Sequence, residues 1–184
     1  MTIDILTTLP SLLHGPFTGS ILKRAQDKGI VTINIHDLRQ WTFDKHRTTD
    51  DHPYGGGPGM VMMVEPINLA LQALKAKKGT PKDLIVVTSA KGALFTQQIA
   101  QQWSTQLERI IFICGHYEGI DERVAQYLAD QEIRIGNFVL TGGELAAVVM
   151  TDAVARLLPG VLGDDESSKD ESFSFEYTLE YPQY

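Results

Sequence analysis

Cysteine is nearly missing from this chain, since Cys114 is the one thiol among 184 residues. That excludes an internal disulfide and any zinc site built from several cysteines. Cys114 follows Ile110-Ile111-Phe112-Ile113, which marks it as a buried strand end. Long apolar runs are missing too, and none approaches the roughly 20 residues that a membrane-spanning helix requires. The N-terminus lacks the basic-then-apolar pattern of a signal peptide, so the expectation is a cytoplasmic protein with no membrane partner. The usual nucleotide signatures do not occur: no G-x-G-x-x-G opens a helix after the first strand, and no G-x-x-x-x-G-K-[ST] is found. Neither is a G-x-S-x-G elbow. His14, His36, His46, His52 and His116 never fall at H-x-x-x-H spacing, so no metal site is expected.

Glycine, in contrast, is concentrated. The run Tyr54-Gly55-Gly56-Gly57-Pro58-Gly59-Met60 can build neither a helix nor a strand. Its glycines reach positive φ and let another group come close to the main chain, while Pro58 fixes its own φ and biases Gly57 toward extended conformations. Tyr54 stands at the lip of this loop.

The net charge of −7 is unevenly spread. From Asp164 onward there are seven acids and one base, so the acidity belongs to the tail and the body is almost neutral. A nucleic-acid surface is therefore compatible with the composition, with Lys23, Arg24, Lys28, Arg39, Lys45 and Arg47 as its candidates. At 43% hydrophobic content the chain can bury one good core and is short for two, so one domain is expected over residues 1–163. Residues 164–184 are expected to be an acidic, flexible linker.

Short apolar segments alternate with helical ones. Strands are expected over residues 3–6, 31–35, 61–64, 84–87, 109–113 and 133–135. Helices are expected over 19–28, from Glu65-Pro66 to about Lys77, and over 96–103, 121–127 and 143–158. This alternation predicts an α/β fold, a parallel sheet with helices on both faces.

In such a sheet ligands gather where strands end and loops begin. Three loops qualify: Thr88-Ser89-Ala90-Lys91-Gly92, Gly115-His116-Tyr117-Glu118-Gly119, and the segment from Ile135 through Gly136, Asn137, Phe138, Val139, Leu140, Thr141, Gly142 and Gly143 to Glu144. A purine suits such loops, its edge read by backbone N–H and C=O groups and its faces held by Ile135 and Leu140. Glu118 could then face a cationic group.

These blocks occur together with His46-Arg47-Thr48-Thr49-Asp50-Asp51, Met62-Met63-Val64-Glu65-Pro66, the continuation Ile120-Asp121-Glu122-Arg123, and Pro159-Gly160-Val161-Leu162-Gly163. In this order, over nearly the whole chain, they resemble the bacterial tRNA (guanine-N1)-methyltransferases that modify guanosine 37 beside the anticodon, members of the SPOUT class. The resemblance implies a C-terminal deep trefoil knot, S-adenosylmethionine bent within the knot loops, and a homodimer with its active site at the subunit interface. It places the donor on Gly115, Tyr117, Glu118, Ile135, Gly136, Asn137, Phe138, Val139, Leu140, Gly142 and Gly143, with Thr88, Ser89 and Ala90 beside the adenosine. It places tRNA contacts on His46, Arg47, Asp50, Tyr54 and Gly59, the partner being the anticodon stem-loop. Mg2+ is admitted as a second cofactor.

For the reaction, guanine N1 is nucleophilic only once its proton leaves, so a base must take that proton. A positive group near O6 would stabilise the charge that develops. The resemblance assigns the positive group to Arg156 and the base to Glu171, ahead of Ser172-Phe173, with Asp170 as its alternative. The family usually has Asp where Glu171 stands, Asp where Asn137 stands, and often Pro where Ala90 stands. Family members also continue past Tyr181-Pro182-Gln183-Tyr184 into a small helical tRNA-binding domain. A fragment is therefore expected that binds donor as a dimer and methylates tRNA weakly. Two other classes stay open: a ribose 2'-O-methylating SPOUT enzyme, and a non-catalytic binding module.

Overall fold

The computed structural model describes residues 1–163 and 172–173. Five parallel strands form the sheet: β1 (Thr2–Thr7), β2 (Thr32–Asp37), β5 (Asp83–Leu94), β6 (Arg109–Cys114) and β7 (Gln131–Arg134), ordered β2-β1-β6-β5-β7. Two short strands, β3 (Asp50–Asp51) and β4 (Val61–Met62), form a separate antiparallel pair. The helices are α1 (Ser20–Asp27), α2 (Val64–Ala73), α3 (Gln97–Gln106) and α4 (Glu144–Ala155).

Side chains alternate across a strand, so an unbroken apolar strand feeds two cores. In β6, Ile110, Phe112 and Cys114 point into one core with Trp103 of α3 and Met150 and Val154 of α4. Ile111 and Ile113 point into the other, with Ile67 and Leu71 of α2. Trp103 sits between Phe95 and Phe112, with ring centroids 5.3 and 6.3 Å away, within the range of favourable aromatic contact. Helices thus cover both faces, as the alternation predicts.

Asp4 interrupts the apolar pattern of β1. It is buried, and accepts hydrogen bonds from Asn34 Nδ2 at 3.0 Å and Arg109 Nε at 2.7 Å, with His36 Nε2 at 2.8 Å. The parallel register sets Asn34 directly opposite Asp4, so the polar cluster joins the first strand to both neighbours.

Several expected boundaries are corrected. Residues 88–92 are not a free loop but belong to β5, whose pairing with β7 shifts register between Thr88 and Ala93. The added residues bulge out of the ladder and re-aim the strand. Residues 61–64 do not form a main-sheet strand: Val61 and Met62 join the small ribbon, and Val64 already opens α2. That helix ends at Ala73, short of Lys77, because Lys75 turns left-handed at φ 54°. The helix expected over 121–127 is a single wide π-turn, Val124–Leu128. β7 starts and ends earlier than 133–135, and α4 stops at Ala155, three residues before the expected end.

Candidate active site

Because the sheet is parallel, the ends of β6 and β7 and the bulge of β5 all open at one edge. There they enclose a cleft of about 480 Å³, within the usual range for a small-molecule site. Its walls are residues 87–91, 115–122, 132–135 and 138–143, with Ala125 and Ala146. The three loops singled out in the sequence are therefore one site. Gly136 and Asn137 stand behind it: Phe138 lies over Gly136, whose missing side chain would fall 2.8 Å from the ring Cδ1, and Asn137 Oδ1 accepts from Arg134 Nε at 3.3 Å.

One hydroxyl ties the loops together. Thr88 Oγ1 donates to the Ile113 carbonyl at 3.2 Å and accepts from Gly115 N at 3.2 Å. Gly143 N donates to the Gly115 carbonyl at 2.7 Å. A Cβ on Gly143 would overlap Thr88 Oγ1 and lie 2.9 Å from Gly115 N, so only glycine permits this approach.

The glycine-rich run docks on the same loop. Gly56, Gly57 and Gly59 all take positive φ, as expected of a segment valued for its backbone. Glu118 N donates to the Met60 carbonyl at 3.0 Å, and Met62 N donates to the Gly119 carbonyl at 3.0 Å. Gly59 faces the Glu118 side chain so closely that a Cβ would sit 2.6 Å from Glu118 Oε1.

Tyr117 occupies the left-handed region at φ 58°, a cost that rigid surroundings must cover and that is common at functional sites. Burial first, then the nearby Asp50 charge, pushes its phenol pKa above the ordinary value. Asp50 thus stands beside a cleft-lining residue without lining the cleft itself. His46, Arg47 and Tyr54 are exposed and do not line it. Tyr54 lies instead on an adjoining recess that shares Ile120, Asp121 and Glu122 with the cleft.

Of the basic candidates, Lys23 pairs with Asp27 at 2.6 Å, Lys28 donates to the Gly160 carbonyl at 2.9 Å, and Arg39 donates to the Thr8 carbonyl. Lys45 and Arg47 remain exposed. Arg156 is half-buried just beyond α4 and does not line the cleft. Glu171 and Asp170 lie outside the described residues.

Sequence reasoning missed an ion cluster on the cleft wall, where Lys91 pairs with Glu122 and lies 3.7 Å from Glu132. No spacing rule links these residues, which come from three elements. It also gave no part to Glu144, the first residue of α4, which is almost fully buried and accepts from Thr7 Oγ1 at 2.7 Å.

A cleft at the carboxyl edge of a parallel sheet, with the exposed Phe138, Val139 and Leu140 among its lining residues, defines an α/β protein with a small-molecule-sized site at its strand ends. The model of the family described as tRNA (guanine-1)-methyltransferase TrmD matches residues 1–184, and the chain belongs to that family. It is similar over its full length to proteins named tRNA (guanine-N(1)-)-methyltransferase. It is 54% identical over 184 residues to one from Geobacter sp. (strain M21), and 55% identical over 186 residues to one from Carboxydothermus hydrogenoformans. It is 55% identical over 184 residues to one from Chloroflexus aurantiacus. The chain spans 72%, 70% and 71% of these three relatives.

Proposed function

We propose that this protein transfers the methyl group of S-adenosylmethionine to N1 of guanosine 37 in tRNA, next to the anticodon, in the cytoplasm. The observation that carries this is the convergence of all three loops on one cleft, in a chain of this family. The lining fits the donor: backbone groups of residues 115 and 140–143 suit an adenine edge, and Ile135 and Leu140 its faces. The Glu118 carboxylate suits the cationic end. S-adenosylmethionine supplies an electrophilic methyl group when bound.

The chain's own residues supply the rest. A carboxylate at Glu171 or Asp170 takes the N1 proton, and its pKa must rise from the ordinary range for it to work at neutral pH. Arg156 stabilises the charge that grows on O6 as the proton leaves. Arg156 lies about 18 Å along α4 from Glu144 and does not line the cleft, which suits the family's arrangement in which the arginine serves the cleft of a second subunit. A homodimer with its active site at the subunit interface belongs to the same reading. Asp50 and Gly59, which adjoin the cleft-lining Tyr117 and Glu118, set the tRNA side, and His46, Arg47 and Tyr54 grip the anticodon stem-loop around it. The trefoil knot of the SPOUT class and a linker over residues 164–184, leading toward a helical tRNA-binding domain, belong to the same reading. For Mg2+, the described residues offer no group of three His, Cys, Asp or Glu side chains able to hold it, and no step is assigned to it.

The test is labelled methyl transfer to a tRNA with guanosine beside its anticodon, comparing this chain with a version extended by the helical domain. Strong transfer by the extended form, lost on Arg156→Ala and on Glu171→Ala or Asp170→Ala, is expected. Donor binding with no transfer by the extended form would overturn the assignment in favour of a binding module.

A further inference from the structure

Between Trp41 and Thr49 the chain presents six consecutive exposed residues, Phe43-Asp44-Lys45-His46-Arg47-Thr48. Phe43 leads them, with 86% of its surface in solvent. A single exposed apolar side chain is ordinary on a protein surface. This one differs in how firmly its segment is held and in what stands beside it.

Both roots of the segment are fixed. Trp41 packs against the second core, and Thr42 Oγ1 donates to the Arg39 carbonyl at 2.9 Å. Thr49 is buried, and its carbonyl accepts from Met63 N at 2.9 Å. Between the roots, Asp44 holds the turn: its carboxylate accepts from His46 N at 3.0 Å, from Thr48 N at 2.8 Å and from Thr48 Oγ1 at 2.7 Å. Arg47 N donates to the Asp44 carbonyl at 3.2 Å, and Arg47 is left-handed at φ 53°, a conformation that persists only where surrounding bonds impose it. The Asp44 carboxylate is thus engaged within the turn, while Lys45 and Arg47 enter no ion pair among the described residues. In a chain of net charge −7, this turn carries a local excess of positive charge beside an exposed ring.

The turn also stands near the cleft. β3 begins directly after Thr49 and pairs with β4. β4 in turn lies on the loop after β6, where Met62 N donates to the Gly119 carbonyl and Asp121 N to the Met62 carbonyl, each at 3.0 Å.

We propose that Phe43 is a stacking platform for an unpaired RNA base next to the nucleotide that enters the cleft, with Lys45 and Arg47 holding neighbouring phosphates. A base must leave its stack to enter an enzyme cleft, and its departure bares the face of its neighbour. A ring fixed close by replaces the lost contact, whichever base stands there, and cations beside it supply the attraction for the backbone. This role rests on the tRNA reading above.

Binding of the full chain to an RNA hairpin carrying the anticodon loop, measured by anisotropy at low salt, tests it. Phe43→Leu, which stays apolar but loses the ring, should weaken binding by about tenfold, and Phe43→Tyr should bind as wild type. A hairpin with an abasic nucleotide on one side of the target guanosine should lose about as much with wild type and nothing further with Phe43→Leu, because the two changes remove the same contact. Lys45→Gln and Arg47→Gln should each lower the slope of log affinity against log salt by about one. Calorimetry with S-adenosylmethionine should give one affinity for wild type and both Phe43 variants. Equal hairpin binding by Phe43→Leu and wild type, or losses that add for the abasic nucleotide on either side, would overturn the platform. A change of oligomeric state in Phe43→Leu, seen by sedimentation, would overturn it too and make the ring a contact between subunits. Wild-type protein that binds the donor but not the hairpin would instead sink the tRNA reading, and the platform with it.

Discussion

The Thr88 hydroxyl and the Gly115 amide nitrogen, 27 positions apart, are joined by a 3.2 Å hydrogen bond that fastens the bulge of β5 to the loop after β6. Gly143 packs onto that same hydroxyl. The mouth of the cleft therefore depends on one small polar side chain and one missing side chain.

Thr88→Val keeps the shape but removes both hydrogen bonds, leaving Gly115 N unpaired. The expected outcome is a loss of about 1–3 kcal/mol in stability and clearly weaker donor binding, while Thr88→Ser stays near wild type in both. Denaturant melts and calorimetry on the three proteins decide it.

Gly92→Ala should destabilise by about 1–3 kcal/mol. Its Cβ would lie 2.5 Å from Ile133 N, in the backbone of the neighbouring strand, which cannot rotate aside. Gly55→Ala meets nothing within 4 Å among the described residues and has no positive φ, so it should be neutral or stabilise by about 0.4–1 kcal/mol. Equal melting shifts for the two would refute this account of the bulge.

Acid should weaken the fold through Asp4. Burial opposes its charge, but hydrogen bonds from His36, Asn34 and Arg109 outweigh it and hold the carboxyl below the ordinary range. The stabilisation is complete above the unfolded value, about 3.9, and is lost as pH falls through the lower folded value. Asp4→Asn should cost about 3 kcal/mol at neutral pH and flatten the acid limb of a stability-against-pH curve. A variant whose acid limb matches wild type would contradict this.

Cys114 should be inert in the native protein. Burial first, and the Glu144 charge second, push its thiol well above the ordinary range, and a thiol reacts as its thiolate. A disulfide reagent at neutral pH should titrate no thiol in native protein and one after denaturation. Rapid native labelling would show that β6 opens.

Much of the architecture was legible from local pattern. Apolar runs such as Ile110 to Ile113 announced buried parallel strands, and these alone placed the two later loops at one edge of the sheet. The glycine cluster was readable as a backbone device, and Gly56, Gly57 and Gly59 do take positive φ. The failures lie where contacts between distant segments override local preference. Thr88 to Gly92 read as a loop because serine, alanine, lysine and glycine form no apolar run, yet β7 pairs on both sides of it and draws it into a bulged strand. Val61 to Val64 read as a sheet strand, yet Asp50 and Asp51 capture its first half as an isolated ribbon.

Composition and order alone determined the α/β class, the family, and which loops to look to for a cleft, because apolar periodicity and glycine placement are properties of neighbouring residues. Only the tertiary structure decided that Thr88 pins two loops, that Gly142 packs against His116 and Glu144, and that Arg156 is not among the residues lining the cleft of its own chain. Those facts depend on distances between residues far apart along the chain, which exist only once the sheet has set its register and the helices have packed against it.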